Sequence, residues 1–285
     1  MLQLAIAGLA AGVAYSALAV CLVLVHQVSE VINVSQGIVG AIGAYVVLVL
    51  DGRDVPLSAA VPIGVAVGAL VSAVIGLIFA VGFVEADVTT KTAAAIAMTI
   101  ALLAVAQRGF GRDPKLFPVL LGGRVVEIGS VVIAWASLIG AAALVVAGVG
   151  LHVATRHTRM GVRMWAVSVR PRTAELLGVR RRAVAAAVWG LAGAIATAGL
   201  LVVTPTRQSD LGAMTMLVVP GLAAAMIGGL RSIPVALASG VAIGMTESLL
   251  LNWPSISQYR QALSFAVIVV VLLASQWKAV WDEAR

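Results

Sequence analysis

Charged residues are scarce in this sequence of 285 residues, and their scarcity excludes a water-soluble globular protein. Asp, Glu, Lys and Arg make up 11% of the chain, whereas 61% is hydrophobic and the mean hydropathy is +1.09. A soluble domain carries roughly 25% charged residues, so this chain has too few of them to cover a globule. We therefore expect one membrane domain over residues 1–285, built from helices of about 20 apolar residues each.

Cysteine pairs, clustered histidines and enzyme motifs are also missing. The single Cys21 lies within an apolar run and cannot form an intrachain disulfide. The three histidines are not grouped with carboxylates at a spacing that would hold a metal ion. No HExxH, GxSxG or GxxxxGK[ST] motif occurs. We therefore predict that the chain is not an enzyme, holds no metal or cofactor, and does not itself hydrolyse ATP.

Nine apolar runs are candidate membrane spans. They cover residues 2–25, 34–50, 57–83, 92–106, 129–153, 183–204, 211–229, 232–251 and 261–276. The run 92–106 is short and carries two threonines, so we expect it to be re-entrant or broken. The runs 211–229 and 232–251 are almost continuous and predict either a tight hairpin or one interrupted pair. The predicted fold is an all-α polytopic membrane protein with about 8–9 transmembrane helices, some of them broken or re-entrant.

One long polar interval interrupts the apolar chain, residues 155–182, here called the arginine loop. It holds eight arginines, out of 19 Lys and Arg in the whole protein. Basic loops between membrane spans stay in the cytoplasm, so the net charge of +7 reflects topology and not nucleic-acid binding. Alternation then places the N-terminus outside. The high content of Ala, Val and Arg indicates a bacterial protein, so we expect a multi-pass protein of the bacterial plasma membrane.

The arginine loop also has helical patterning. An apolar stripe with the spacing i, i+3, i+4, i+7 consists of Val162, Trp165, Ala166 and Val169. Pro171 interrupts this helix, and residues 172–177 with Gly178 behind them predict a second short helix with a glycine cap. The interpretation is a pair of surface helices that present a face to another protein. The alternative is a loop that only sets the topology.

Two groups of polar residues lie at the mouth of a predicted span or within one, and they are candidates for a translocation pathway. The first comprises Asn33, Ser35, Gln36 and Gly37 at the mouth of the second run. Polar groups in lipid are costly unless they are buried or face water. The alternative is a helix N-terminus at the membrane interface, capped by Asn33 or Ser35.

Glu247 is the second candidate, because a carboxylate inside a span is a functional hypothesis by default. It would serve as a proton site or as a contact for a substrate amine. The alternative is a position near the outer interface. Glycines spaced for close helix contacts form a separate, structural group. They are Gly8, Gly12, Gly193, Gly228, Gly229, Gly240 and Gly244.

Several motifs, in order, resemble the permease subunits of branched-chain amino acid ABC importers. The N-terminal part is similar at Gly8, Gly12, Tyr15, Leu18 and Ala19, then at 33–37 and 43–45. The loop is similar at 158–163 and 174–179, and the later spans are similar at 191–199, 224–235 and 244–248. The sequence departs from the family pattern in several places. Residues 33–37 are N-V-S-Q-G instead of N-F-A-x-G, and Val235 replaces a glycine. The loop after the third span is shorter and lacks a Y-R-P-like signature, and the C-terminal P-x-G-L/I-x-G is missing.

The resemblance implies a set of partners. Two permeases, paralogous or identical, would form the pore, and two cytoplasmic ABC ATPase subunits would carry the ATP and Mg²⁺. An extracytoplasmic substrate-binding protein would deliver the ligand. The segment from Gly161 to Gly178 would couple the permease to the ATPase. The coupling residues we expect are Arg159, Gly161, Arg163, Trp165, Ala174, Glu175, Leu177 and Gly178.

The resemblance also implies a substrate class, namely branched-chain or other small amino acids. Urea, short amides and sugars are alternatives, because permeases for them are similar. An ion-coupled secondary carrier is a different alternative, and Glu247 is its only support in the spans. A membrane scaffold without transport would have no polar positions within its spans, so Asn33, Gln36 and Glu247 argue against it.

Overall fold

The computed structural model of the protein describes residues 3, 8–120, 125–128, 131–206, 209–253, 257, 259 and 262–283. Its helices are α1 (Leu9–Ser29), α2 (Gln36–Asp51), α3 (Leu57–Gly82), α4 (Val88–Phe110), α5 (Trp135–His157), α6 (Arg159–Val169), α7 (Pro171–Leu176), α8 (Arg181–Val203), α9 (Leu211–Met216), α10 (Val218–Ile227), α11 (Ile233–Leu250) and α12 (Ala262–Glu283). Between α4 and α5, strands β1 (Val125–Ile128) and β2 (Val131–Ala134) pair as an antiparallel hairpin.

The helices that are long and apolar enough to cross a membrane match the predicted runs. Within the described residues, six segments qualify by length and composition: α1, α3, α4, α8, α11 and the part of α5 from Ser137 to His157. Three shorter apolar segments are α2, α9 together with α10, and Ala262–Ala274 of α12. This arrangement confirms the all-α polytopic fold. The fifth run begins later than predicted, because residues 131–134 belong to the hairpin.

Helix α1 lies at the centre of the bundle because it is apolar on all sides. Every residue from Gly12 to Val25 is buried. The hydroxyl of Ser16, a polar side chain in this stretch, donates to the Leu237 carbonyl at 2.7 Å. Helices α8 and α11 pack on α1, and α10 also contacts it. A Cβ on Gly244 would collide with the backbone of Gly12, so the contact between α1 and α11 requires glycine.

Helices α3 and α8 form the other close pair. A Cβ on Gly193 of α8 would collide with the carbonyl oxygen of Gly68 and with the Ser72 side chain. The absence of these side chains lets the two backbones approach closely, and dispersion contacts then hold the pair together in lipid. Trp189 of α8 is fully buried and stacks on Phe79 of α3, with ring centroids 5.2 Å apart.

The expectation that the run 92–106 is broken is wrong, because α4 is continuous from Val88 to Phe110. The hydroxyls of Thr92 and Thr99 donate to the carbonyls of Val88 and Ala95 at 2.8 and 2.7 Å. These threonines are therefore satisfied inside the helix and need no polar cavity. An interruption falls instead at Leu217, which separates α9 from α10 within the run 211–229.

The ends of the helices meet as an alternating topology requires. The arginine loop lies at one end of the bundle, here called the Arg-rich end. There the Gln27 side-chain amide donates to the Arg231 carbonyl at 2.8 Å. At the opposite end, the Tyr45 hydroxyl donates to the Ser209 carbonyl at 3.2 Å, and Ser209 forms a β-bridge with Lys115. The tight turn between α10 and α11 contains Gly229, whose φ of 60° is left-handed.

We predict that Gly193→Val destabilises the fold, because the new side chain would push α8 away from α3. Overpacking of this kind costs about 1–3 kcal/mol. Thermal unfolding of the purified protein in detergent should show a lowered Tm. Gly150→Val is the matched control, since Gly150 lies within α5 and a Cβ there would meet no atom within 4 Å. Equal Tm values for the two variants would contradict the close contact.

Candidate functional site

An irregular segment, residues 30–35, connects α1 to α2. Helix α1 ends at Ser29, and Glu30 adopts a left-handed conformation with φ 52°. Helix α2 begins only at Gln36. Val31, Asn33 and Ser35 of the connection are buried. Non-helical backbone at membrane depth is tolerated only where protein or a water-filled cavity surrounds it, so this connection is part of the interior.

Two side chains of this segment, one of α2 and one of α3 form a polar group, here called the amide site: Asn33, Ser35, Gln36 and Ser72. The Asn33 side-chain oxygen accepts hydrogen bonds from the Ser35 backbone N–H at 3.1 Å and from its hydroxyl at 2.5 Å. The Gln36 side-chain N–H₂ donates to the Ser72 hydroxyl at 3.1 Å. All four residues are buried. The amide site is therefore held by its own hydrogen bonds.

Two atoms of the amide site remain unpaired. Among the described residues, the Nδ2 of Asn33 and the Oε1 of Gln36 have no hydrogen-bond partner. A buried polar group without a partner costs about 1–3 kcal/mol. A polar ligand that accepts a hydrogen bond from Asn33 and donates one to Gln36 would satisfy both atoms.

The depth of the amide site separates it from the membrane interface. Ser72 precedes Gly82, the end of α3, by ten residues, which corresponds to about 15 Å of helix. The hydrocarbon core of a bilayer is about 30 Å thick. Gln36 contacts Ser72 and therefore begins α2 near the middle of the bundle. The Ser35 side chain forms no capping hydrogen bond with α2.

A second helix interruption lies directly beside the amide site. A Cβ on Gly37 would collide with the carbonyl oxygen of Thr215, so the start of α2 and the end of α9 touch through their backbones. The break at Leu217 follows two residues later. Discontinuous helices that meet at mid-depth form the binding sites of many transporters, because their free backbone groups face the ligand.

Glu247 lies elsewhere, and the structure does not bring it together with the amide site. Its carboxylate accepts hydrogen bonds from the Tyr15 hydroxyl at 2.6 Å and from the Ser264 hydroxyl at 3.1 Å. Glu247 precedes the end of α11 at Leu250 by three residues, about 5 Å of helix. Its neighbours belong to α1 and α12, whereas the amide site lies among α2, α3 and α9. The carboxylate therefore links helices near the end opposite the arginine loop.

The arginine loop contains the two short helices that were predicted, α6 and α7. The Thr158 side chain caps α6 by accepting from the Gly161 N–H at 3.4 Å. Gly178 follows α7 with a left-handed φ of 83°, as the predicted glycine cap requires. Two ion pairs hold the loop to the bundle: Arg172 pairs with Glu85, and Arg181 pairs with Glu175 at 3.1 Å.

The outer face of α6 and α7 is apolar and open. Trp165 is 69% exposed, and Leu176 and Leu177 are 88% and 78% exposed. Exposed apolar side chains on a charged surface make this face a candidate for a protein contact. The predicted coupling residues divide into two groups. Gly161 and Ala174 are buried. Those that are exposed are Arg159, Arg163, Trp165, Glu175, Leu177 and Gly178.

Two partners of the amide site were missed by the sequence analysis. Ser72 and Thr215 are polar residues inside apolar runs, and this position alone is a usable signal. Thr215 was harder to find, because its hydroxyl is satisfied by the Leu211 carbonyl at 2.7 Å and only its backbone reaches Gly37. In the part of the chain that the structure describes, no three His, Cys, Asp or Glu residues group together to hold a metal ion.

Comparison with known proteins agrees with this architecture. The model of a family described as the permease component of the branched-chain amino acid transport system matches residues 4–272. Neither the curated proteins nor the solved structures give a match. Because the family match covers nearly the entire chain, the protein belongs to the family of branched-chain amino acid transport permease components.

Proposed function

We propose that the protein is the membrane-spanning permease subunit of an ATP-driven importer of the ABC type. It would move branched-chain or other small amino acids into the cell across the bacterial plasma membrane. The observation that carries the proposal is the pair of exposed apolar helices, α6 and α7, at the Arg-rich end. A permease that works alone has no need for such a surface, whereas one driven by a separate ATPase needs a docking face.

The chemistry of the loop supports an ATPase as the occupant of this face. Trp165, Leu176 and Leu177 offer apolar anchors of the kind that dominate protein interfaces. Arg159 and Arg163 are exposed and offer charge for steering an acidic partner. The partners would be two ATPase subunits that carry ATP and Mg²⁺, a second permease of the same or paralogous sequence, and an extracytoplasmic binding protein.

The amide site supports transport of a small polar molecule without net charge. Its unpaired groups are the Asn33 N–H₂, which can donate to a carboxylate, and the Gln36 oxygen, which can accept from an ammonium group. None of its four side chains is charged, so an ion would find no counter-charge there. An amino acid zwitterion satisfies both groups. A short amide or urea also satisfies both, and remains the second candidate for the same reason.

A simple mechanism follows from the positions of these parts. Closure of the ATPase subunits would move α6 and α7, and the ion pair between Glu175 and Arg181 would pass this movement to α8. Helix α8 packs on α1, α2 and α3, which surround the amide site. The interruptions before Gln36 and at Leu217 would let α2 and α9 shift, so that the site opens to one side at a time.

We predict that Gly178→Val uncouples ATP hydrolysis from transport. A Cβ on Gly178 would meet no atom, so the only penalty is the left-handed backbone, which costs about 1–2 kcal/mol for a residue with a side chain. The end of α7 should shift while membrane insertion stays normal. Gly178→Asn is the matched control, because asparagine tolerates this conformation. Normal uptake by the valine variant, measured in reconstituted vesicles with the ATPase, would contradict a coupling role.

A second prediction concerns the amide site. The double variant Gln36→Met, Ser72→Ala removes both partners of one hydrogen bond and the unpaired Gln36 oxygen. Replacing both partners by apolar groups is close to neutral for stability, so Tm should be unchanged or raised. Uptake should fall by about tenfold, the loss expected for one hydrogen bond to the substrate. Ser72→Ala alone is the control and should retain uptake. Full uptake by the double variant would remove Gln36 from the pathway.

A third prediction separates the importer from an ion-coupled carrier. In Glu247→Gln the side chain still accepts a hydrogen bond from Tyr15 but can no longer exchange a proton. We expect an unchanged dependence of uptake on pH, because an importer driven by ATP needs no proton exchange at this side chain. Uptake that becomes independent of pH would favour a carrier in which Glu247 takes up the proton.

A further inference from the structure

A cavity of about 330 Å³ opens at the Arg-rich end, here called the end cavity. Its walls come from five places in the chain: the end of α1, the end of α3, the connection 83–87 with the start of α4, the end of α6, and the start of α8. Small-molecule sites in proteins have volumes of about 300–1,000 Å³. The end cavity lies at the low end of this range and suits a molecule of amino acid size.

The end cavity carries charges of both signs. Glu30, Glu85, Lys91 and Arg181 line it. Two of them are already paired, since Glu85 binds Arg172 and Arg181 binds Glu175. The other two have no ion-pair partner among the described residues: the Lys91 ammonium only donates to the Ser29 carbonyl at 3.4 Å, and Glu30 has no cation within salt-bridge distance. One free cation and one free anion therefore face the same space.

An apolar wall completes the end cavity. Val28, Phe79 and Phe83 line it together with the two free charges. The rings of Phe79 and Phe83 stack with centroids 5.1 Å apart, and Phe79 also stacks on the buried Trp189. The Ser29 hydroxyl accepts from the Trp189 indole N–H at 3.0 Å. This wall is therefore held in place by the close pair α3 and α8, and it presents aromatic and aliphatic surface.

We propose that the end cavity binds an aliphatic α-amino acid from the cytoplasmic side, at a site separate from the amide site. The ligand carboxylate would pair with Lys91 and its ammonium group with Glu30, and the aliphatic side chain would lie on Val28, Phe79 and Phe83. Such a ligand satisfies both free charges at once. The carboxylate, the ammonium group and the aliphatic side chain of the ligand would each contact residues of matching chemistry in the cavity.

The balance of charges favours this ligand over an anionic lipid headgroup. A phosphate would pair with Lys91 and Arg181, but Glu30 and Glu85 line the same space and would repel it. The headgroup of phosphatidylethanolamine is a zwitterion and shares the chemistry of an amino acid. It differs in carrying no aliphatic side chain beside its charged groups, so nothing in the headgroup itself would cover Val28, Phe79 and Phe83.

Occupancy of the end cavity has a consequence for the arginine loop. Val167, Ser168 and Val169 at the end of α6 form one of its walls. A ligand that fills the cavity would hold this end of α6 against α1 and α3. In the importer proposed above, accumulated amino acid in the cytoplasm would then slow the ATPase cycle. This consequence rests on the proposed function, whereas binding to the cavity does not.

Binding is tested with the purified full-length protein in nanodiscs of phosphatidylglycerol, which contain no zwitterionic lipid. The probes are L-leucine, L-leucinamide, which lacks the carboxylate, and 4-methylpentanoate, which lacks the amine. Titration calorimetry should show that each analogue binds at least about tenfold more weakly than leucine, because each loses one charge-assisted contact. Equal binding of all three would overturn the proposal.

Two variants assign the contacts to residues. Lys91→Gln should abolish the preference for leucine over leucinamide, and Glu30→Gln should abolish the preference over 4-methylpentanoate. Arg108→Gln is the matched control, because Arg108 lies on the same helix as Lys91 but at its other end. If Lys91→Gln leaves both preferences intact, leucine does not bind in the end cavity. If added phosphatidylethanolamine displaces leucine, and leucine then binds no more tightly than its two analogues, the cavity is a site for the lipid instead.

The two sites are separated by the double variant Gln36→Met, Ser72→Ala. It should retain leucine binding that depends on Lys91, even though its uptake falls. Loss of this binding would place the ligand in the amide site and overturn the second site. Conversely, the protein could bind leucine through Lys91 and yet support no uptake with any ATPase. That result would refute the proposed importer but not the binding site in the end cavity.

Discussion

The structure depends on one constraint: the interior of a bilayer offers no water to backbone N–H and C=O groups. Each span must therefore satisfy these groups within itself, and an irregular segment is tolerated only where protein surrounds it. The connection 30–35 and the break at Leu217 are two such segments, and both lie against other helices of the bundle. Because α1 is central and apolar, the helices that pack around it also surround the connection that follows it.

Glycine contacts bring the helices close enough to enclose these segments. Gly12 with Gly244 joins α1 to α11, and Gly68 with Gly193 joins α3 to α8. In lipid there is no hydrophobic gain from helix association, so short backbone distances must supply the attraction. Asn33 and Gln36 depart from the rule that buried polar groups are paired, since among the described residues each keeps a buried side-chain atom without a hydrogen-bond partner.

Much of the fold could be predicted from the sequence, because length and hydropathy decide which segments cross a membrane. The polar residues Asn33 and Gln36 were also visible, since they lie at the mouth of an apolar run. Their depth was not visible, because it depends on where α1 ends and on the contact with Ser72, 36 residues further along the chain. The prediction for 92–106 failed because the threonines of α4 bond to its own carbonyls, which sequence spacing alone does not reveal.

The turn between α5 and α6 determines which helices would move with the arginine loop. A Cβ on Gly161 would collide with the carbonyl oxygen of Thr155, so α6 packs directly on the end of α5 and cannot rotate without it. Helix α5 contacts α1 and α11, while the pair Glu175–Arg181 joins the loop to α8. A movement of the loop would therefore reach the bundle by two routes, through α5 to α1 and α11, and through α8 to α1, α2 and α3.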